Sequence, residues 1–449
     1  MYSYLTKITD KSTIINLLFS TLIFSFIAGN LVVNLNLALI ILVSFFFFGK
    51  KIFTHKLDLI DKMIILFFFY TLSLTLIKNI DYKLNNFTDD FEIFLKSILF
   101  IRFLIFYFII KFLIKNDLLS LKIFFISSSF AVLFVALDII YQFIFGQDIF
   151  GFEGIERRLS GPFGDEIIAG SYIQRFSLFA LFILPIFFNF RKKYIQYFLI
   201  ALLISILLIS LVLAGNRIPL LLFVTLIFLI SIFEKNLRKF FLPFLIIGPA
   251  IIYLISSEKD SVFFHLSNFK TKTLQIFSIL SPDNILTEKE AKEIYTPEDM
   301  FYTFEFNGKK YKLGNTHLKE FNFGVISWQK NKYFGGGMKS LGITCIKNKF
   351  LNCSSHPHNY YLEILAVLGL LGFTLIFILF SLLFYKTFLK KYFFNSYLND
   401  YSLITPFIFL FFAEIFPLKS TGSFFTTSNA TYIFLILSIL VSLSQKKIR

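Results

Sequence analysis

Apolar residues form runs of about 20 along most of the chain, and polar residues gather in the stretches between these runs. Each run is long enough to cross a hydrocarbon core of about 30 Å as a helix. On this criterion the sequence predicts about twelve transmembrane helices and therefore an all-α polytopic membrane protein. The predicted spans are 13–29, 31–49, 60–78, 95–114, 121–144, 167–190, 195–213, 216–233, 240–256, 359–385, 401–418 and 429–445.

One connection is far longer than the others and must hold a small folded piece. It predicts a division into transmembrane helices 1–9 (residues 1–256), a loop domain (257–358) and helices 10–12 (359–449). Within the loop, "TEKE" at 287–290 predicts a capped helix, and "FYTFEFNGKKYKLG" predicts a hairpin that turns at Asn307-Gly308. The loop is therefore expected to have mixed α/β content.

The distribution of positive charge predicts the orientation of the chain. The sequence is 56% hydrophobic and carries a net charge of +16, but its basic residues gather in the even-numbered connections and at the C-terminus. This is the positive-inside pattern, so it indicates a membrane protein and no nucleic-acid partner. It predicts cytoplasmic termini, a periplasmic long loop and a retained first span. The basic residues concerned are Lys50, Lys51, Lys56, Lys62, Lys111, Lys115, Lys122, Arg191, Lys192, Lys193, Lys235, Arg238, Lys239, Lys386, Lys390, Lys391, Lys446, Lys447 and Arg449.

Arginines at the ends of the apolar runs are candidate anion ligands. Arg217 follows a Gly-Asn break in "LVLAGNRIPLLLF", at a turn on the outer side. A guanidinium offers paired donors to phosphate oxygens and stays protonated, although an arginine that snorkels to lipid headgroups fits the same position. Arg175 and Arg158 pose the same choice, and so does Arg102. Asp138 and Glu414 are acids within apolar runs, and each has either a structural or a functional role. For Asp138 we expect a structural role, a hydrogen bond to Gln142 one helical turn away.

Two of the five histidines lie in "HPHN" at 356–359, directly before an apolar run. Pro357 disfavours helix at His356, and Asn359 is a good helix cap, so His358 is expected at the mouth of a helix. Three interpretations remain open. The turn is a plain cap, or it supplies a general base, or it is part of a metal site whose nearest acid is Glu363.

Both cysteines of the chain lie late in the long loop, at 345 and 353. If the loop is exported into an oxidising compartment, Cys345 and Cys353 can pair. Two free thiols are the alternative in a reducing compartment. The predicted topology favours the disulfide, which would brace the segment before His356.

"HPHNYYLEILAVLGLLG" resembles the His-Asn-x-Tyr-Leu-(x)n-Gly-Leu-x-Gly signature of the O-antigen ligase and polymerase superfamily. "AGNR" at 214–217 is similar to its arginine turn, and "SWQKNKYFGGGMKSL" is similar to its Trp-(x)n-Gly-x-Gly stretch. The order of features matches over most of the chain. One departure is "FGVIS" before the tryptophan, where the family often has an arginine or another polar residue.

The resemblance implies transfer of a glycan from undecaprenyl diphosphate to an acceptor hydroxyl, with inversion and without cofactor or metal. It implies that His358, or else His356, is the base, supported by Asn359 and Glu363. It further implies that Arg217, with Arg158 or Arg175, holds the diphosphate.

Among the members of the superfamily, we expect a ligase of the bacterial inner membrane whose acceptor is lipid A-core. Polymerase and protein O-oligosaccharyltransferase are alternatives within the superfamily. A polytopic transporter or lipid flippase is the alternative of another class, although the sequence lacks paired Gly/Pro-broken spans in matching halves.

Overall fold

A computed structural model describes most of the chain. The described residues are 10–84, 90–154, 158–188, 190–235, 237–241, 302–306, 309–313, 316–347, 356–394, 402–419 and 422–445, with the single positions 248, 250, 253, 396 and 398. Within these ranges the chain is mostly helical, as its long apolar runs require, since a helix satisfies all its backbone groups inside one segment. The prediction of an all-α polytopic membrane protein is confirmed at this level.

The described residues form fifteen α-helices. They are α1 (Asp10–Ala28), α2 (Asn30–Phe48), α3 (Leu59–Leu84), α4 (Asp90–Lys115), α5 (Leu121–Phe145), α6 (Ala169–Phe187), α7 (Lys193–Leu213), α8 (Arg217–Phe233), α9 (Arg238–Phe241), α10 (Thr316–Lys330), α11 (Ser340–Lys347), α12 (Tyr360–Phe384), α13 (Lys390–Tyr392), α14 (Thr405–Glu414) and α15 (Thr427–Gln445). Short 3-10 turns cover Gly49–Phe53, Gly161–Phe163 and Ser402–Ile404, and a π turn covers Tyr385–Leu389.

Nine of the described helices are long and apolar enough to cross a membrane: α1 to α7, α12 and α15. The helices α8 and α14 are apolar but shorter. These eleven helices correspond to eleven of the twelve predicted spans. The remaining span, 240–256, lies largely outside the described residues, so the total of about twelve stays a prediction.

Helix α15 is the most buried of the nine described helices that could cross a membrane, with 83% of its apolar stretch inside the protein. Phenylalanine rings join it to α3 and α4: the Phe434 ring lies 4.9 Å from Phe68 and 6.2 Å from Phe103, and Phe68 lies 5.0 Å from Phe100. Lipid is as apolar as these side chains, so close packing has to hold membrane helices together. Interlocking rings supply that packing.

The long loop is described only in part. Strands β1 (Tyr302–Phe306) and β2 (Lys309–Leu313) pair antiparallel, with Phe306 opposite Lys309, on either side of the predicted Asn307-Gly308 turn. The capped helix predicted at 287–295 lies outside the described residues. Helix α10 packs against the start of α12, where a Cβ on Gly324 would lie 2.9 Å from Pro357 Cβ. The proline turn before α12 is therefore in direct contact with the loop.

Helix α12 is broken at Gly369, which has φ 66° and ψ −169°. Beyond the break, Leu370 N donates to Lys332 O at 2.9 Å and Leu371 N donates to Tyr333 O at 3.1 Å. A broken helix at membrane depth needs such substitute partners, because each unsatisfied backbone group costs several kcal/mol there. The glycine-rich loop segment thus completes the hydrogen bonding of α12.

The carbonyls before the break are satisfied in the same way. Ala366 O and Val367 O accept from Gly336 N at 3.0 Å and Gly337 N at 2.8 Å. The Tyr70 hydroxyl donates to Leu368 O at 2.9 Å. The Gly-x-Gly stretch predicted from the sequence therefore has a structural role, which is to tie the loop to α12.

We expect Gly369→Ala to lower the melting temperature of the purified protein strongly. A Cβ at this position would lie 2.4 Å from both Gly335 N and Tyr333 O, and its φ of +66° disfavours any side chain. Strained backbone of this kind costs about 1–3 kcal/mol before the clash is added. Gly342→Ala is the matched control, because its Cβ would meet nothing within 4 Å. Equal melting temperatures for both variants would contradict the assignment.

Candidate active site

The histidine turn, residues His356–Asn359, leads directly into α12, which Asn359 caps as predicted. Asn359 has extended backbone angles, and its Oδ1 accepts from Tyr361 N at 3.0 Å and Leu362 N at 3.2 Å. Its Nδ2 donates to Pro417 O at 2.7 Å. One side chain therefore caps α12 and ties it to the segment that follows α14.

We expect Asn359→Ala to destabilise the protein more than Asn359→Ser. Both variants lose the bond to Pro417 O, but only alanine also loses the cap, which is worth about 0.5–2 kcal/mol. The difference between their melting temperatures isolates the cap. A serine variant as unstable as the alanine variant would show that the cap contributes nothing here.

His358 adopts a left-handed conformation, with φ 49°. Its Nε2 lies 3.4 Å from Glu320 Oε1 of α10, and its side chain is 30% exposed. A non-glycine residue in this conformation costs free energy and is concentrated at functional sites. The His358 imidazole is thus partly exposed and in contact with a carboxylate from the loop.

His356 lies beside His358, with ring centroids 4.3 Å apart. Burial lowers the pKa of His356, and the neighbouring His358 and the charge of Lys96 lower it further, against the opposing effect of Glu320. His356 is therefore held neutral near pH 7, in close contact with His358.

Glu363, in the first turn of α12, is buried beneath this turn. Its carboxylate accepts from the Ser423 hydroxyl at 2.5 Å and from Phe424 N at 2.6 Å. Lys96 of α4 interacts electrostatically with both Glu363 and His356. Glu363 thus holds the segment before α15 against α12, and Lys96 adds a positive charge to the mouth of the site.

Arg175 of α6 is the centre of a buried polar cluster. Its Nε donates to Glu414 Oε2 at 3.0 Å, and its Nη2 donates to Glu414 Oε1 at 2.6 Å and Asn429 Oδ1 at 2.7 Å. The guanidinium also lies over the Tyr432 ring, 4.9 Å from its centroid. Tyr360, the residue after Asn359, donates to Glu414 Oε1 at 2.7 Å. The cluster therefore joins α6, α12, α14 and α15 directly behind the histidine turn.

Lys419 completes this cluster. Its Nζ lies 2.6 Å from Glu414 Oε2, and both side chains are at most 3% exposed. Burial lowers the pKa of Lys419 to about 8, with Glu414 acting against that effect and Arg175 adding to it. Two cationic side chains share one carboxylate, so below that pKa the cluster has a net positive charge.

Arg217 lies at the first position of α8, half-buried. The preceding Asn216 binds the start of α6: its Oδ1 accepts from Gly170 N at 3.1 Å and its Nδ2 donates to Ile167 O at 3.1 Å. A Cβ on Gly170 would overlap Asn216 at 2.6 Å. Arg217 is thus fixed beside the N-terminal end of α6. Arg175 lies on the same helix, five residues or about 7.5 Å after Gly170.

The other polar candidates lie outside this cluster. Asp138 and Gln142 do not bond to each other as predicted. Instead, Asp138 Oδ1 accepts from Ile149 N at 3.0 Å, and Gln142 accepts from Gly161 N at 2.9 Å and donates to Phe152 O at 3.1 Å. Both side chains therefore hold the loop after α5, because the buried backbone groups of that loop need hydrogen-bond partners. That loop contains Arg158, which is half-exposed.

Arg102 contacts the start of α15, where its Nη2 donates to the Thr427 hydroxyl at 3.2 Å. Its guanidinium lies 4.6 Å from the Phe103 ring centroid. These contacts give Arg102 a structural role in the packing of α4 against α15.

The described contacts thus bring Arg175, Asn359, Glu363 and His358 into one region, with Arg217 at its α6 side. They do not connect Arg158 to it. Four further polar residues of this region were not predicted from the sequence: Glu320, Lys96, Lys419 and Asn429. Each lies far along the chain from the histidine turn or in a different helix, so no spacing pattern pointed to them.

The Cys345–Cys353 pair lies outside the described side chains and stays a prediction. Among the residues that the structure describes, no group of three or more His, Cys, Asp or Glu side chains is arranged to hold a metal ion.

A family model described as O-Antigen ligase matches residues 200–377. The match begins in α7 and ends in α12, and so includes Arg217, Glu320, His358 and Glu363. No curated protein matches the chain. The resemblance drawn from the sequence motifs is therefore confirmed.

Proposed function

We propose that this chain belongs to the O-antigen ligase superfamily and that it transfers a glycan from a polyprenyl diphosphate to an acceptor hydroxyl. One observation carries the proposal. The His358 imidazole, half-exposed at the mouth of α12, lies 3.4 Å from the Glu320 carboxylate. A carboxylate in contact with an imidazole is the arrangement that orients a general base.

In the proposed reaction, His358 accepts the proton of the acceptor hydroxyl as that oxygen bonds to the anomeric carbon. The bond from that carbon to the diphosphate oxygen breaks on the opposite face, so the configuration inverts. The proton stays on His358 until solvent removes it, and Glu320 stabilises the imidazolium in the meantime. Proton transfer through this turn needs no metal or cofactor.

The leaving diphosphate needs positive charge, and charge stabilisation of this kind is usually the largest catalytic effect. We assign Arg217 as its main ligand. Arg158, which no described contact connects to this region, stays a predicted second ligand. Arg175 contributes through the net positive charge of the cluster that it forms with Glu414 and Lys419, since Glu414 already engages two of its nitrogens. Lys96 adds charge on the side of α4.

We expect Arg217→Lys to lose most transfer activity although it keeps its charge. An ammonium cannot reproduce the paired donors that a guanidinium offers to a diphosphate. The assay is transfer from a carrier-linked glycan by the purified protein. Arg191→Lys is the matched control, because Arg191 is an exposed arginine before α7. Full activity of Arg217→Lys would remove Arg217 from the diphosphate site.

The acceptor is proposed as lipid A-core, which makes the protein a ligase of lipopolysaccharide biosynthesis in the bacterial inner membrane. Polymerase and protein O-oligosaccharyltransferase are alternatives that differ in the acceptor. The family match favours all three over a transporter. The proposed orientation puts the termini in the cytoplasm and the 257–358 loop, with a Cys345–Cys353 disulfide, in the periplasm.

The glycolipids of a strain that lacks the gene test this assignment. Carrier-linked polymer that is not attached to core supports a ligase. Single repeat units on the core would indicate a polymerase instead. Unchanged lipopolysaccharide with loss of a protein-linked glycan would indicate a protein transferase.

A further inference from the structure

A second polar site lies at the other end of the bundle, among the basic connections. A cavity of about 150 Å³ opens between the turn at Gly49–Phe53, α3 and α4. Five of its lining residues are apolar, and His55, Asp61 and Lys111 form its polar part. Nothing in the proposed glycan transfer uses these groups, because the histidine turn belongs to the opposite end of α12.

The polar part of this cavity is built and buried. Lys111 Nζ lies 2.5 Å from both oxygens of Asp61, and the two side chains are at most 3% exposed. The Tyr107 hydroxyl donates to Asp61 Oδ1 at 2.7 Å. Asp61 is thus fully engaged by its own neighbours, and its charge is balanced by that of Lys111.

The remaining groups suit an anion. Lys115 does not line the cavity, but it lies one helical turn after Lys111 and acts electrostatically on His55. The His55 Nε2 lies 3.3 Å from Asn116 Nδ2. Burial lowers the pKa of His55, and Lys115 and Lys111 lower it further. The imidazole is therefore neutral near pH 7, with one N–H to donate. The surrounding lysines at 50, 51, 56 and 62 add to the positive potential.

The walls of the cavity indicate what carries the anion. Phe53 and Leu57 are 49% and 40% exposed at its edge, and Ile52, Ile65 and Phe108 line it further in. A free phosphate would gain nothing from these walls, whereas an acyl chain would bury against them. A basic pocket between transmembrane helices that is continuous with apolar surface suits a phospholipid headgroup.

We propose that this cavity binds an anionic phospholipid of the adjacent leaflet. Its phosphate lies at His55 and Lys115, and the upper part of one acyl chain packs against Phe53 and Phe108. The lipid would hold the connection between α2 and α3 against α4.

The test is the melting temperature of the full chain in mixed micelles that contain phosphatidylglycerol, phosphatidylcholine of the same chains, or inorganic phosphate alone. We expect only phosphatidylglycerol to stabilise the wild type. The double variant His55→Ala/Lys115→Gln should weaken the apparent affinity for phosphatidylglycerol about fivefold, as expected for the loss of one such charge. Ile65→Phe, which fills the cavity without changing charge, should weaken it as well.

Lys239→Gln is the matched control, because Lys239 is an exposed lysine of α9, a helix that contributes no residue to the cavity. It should keep the wild-type response. Equal stabilisation by the two phospholipids, or an unchanged response in both cavity variants, would overturn the proposal. Full stabilisation by inorganic phosphate would overturn the lipid as the source of the anion.

Discussion

His358→Ala should reduce glycan transfer by about 10²- to 10⁴-fold, the usual contribution of a general base. The donor should still bind, because the base acts on the acceptor and the diphosphate ligands lie on other elements. The measurement is transfer from a carrier-linked glycan, together with retention of that donor by the purified variant. A fully active variant would transfer the role to His356 or dismiss the base.

Two further variants separate the base from its surroundings. His356→Ala should retain much more activity, since the close contact that orients His358 comes from Glu320. Glu320→Gln should lower kcat while leaving KM for the donor unchanged, because it disturbs the imidazole and not the diphosphate. A Glu320→Gln variant that loses only donor affinity would contradict the orienting role.

Glu414→Gln should destabilise the protein by about 3–5 kcal/mol, the usual cost of removing one partner from a buried ion pair. The change leaves Arg175 and Lys419 as two buried cations without their shared carboxylate. It also weakens the contact that holds Tyr360 at the start of α12. We therefore expect a large fall in melting temperature and a loss of transfer that follows from the displaced histidine turn.

The double variant Glu414→Gln/Lys419→Met should recover part of this stability, because it removes one of the two uncompensated charges. Glu166→Gln is the matched control for loss of an acid, since Glu166 is exposed in the loop before α6. If Glu414→Gln melts at the temperature of Glu166→Gln, the cluster does not hold the four helices together.

The sequence alone determined the features that depend on local chemistry. Runs of apolar residues predicted eleven of the described helices, because a span needs about 20 apolar residues in succession. Asn359 predicted the start of α12, because a cap binds amides only two and three residues away. The strands around Asn307-Gly308 followed from alternation and a turn dipeptide. The resemblance to the superfamily could be recognised from the sequence for the same reason, since its motifs are short and contiguous.

The tertiary structure alone decided which distant residues meet. Arg175 and Glu414 are 239 positions apart, and no periodicity relates them. Glu320 reaches His358 only because α10 packs on the turn at Pro357. The break at Gly369 is stable only because the segment Lys332–Gly337 supplies the missing hydrogen bonds. Buried charges and open backbone groups must find partners wherever the fold brings them, and those partners come from other helices.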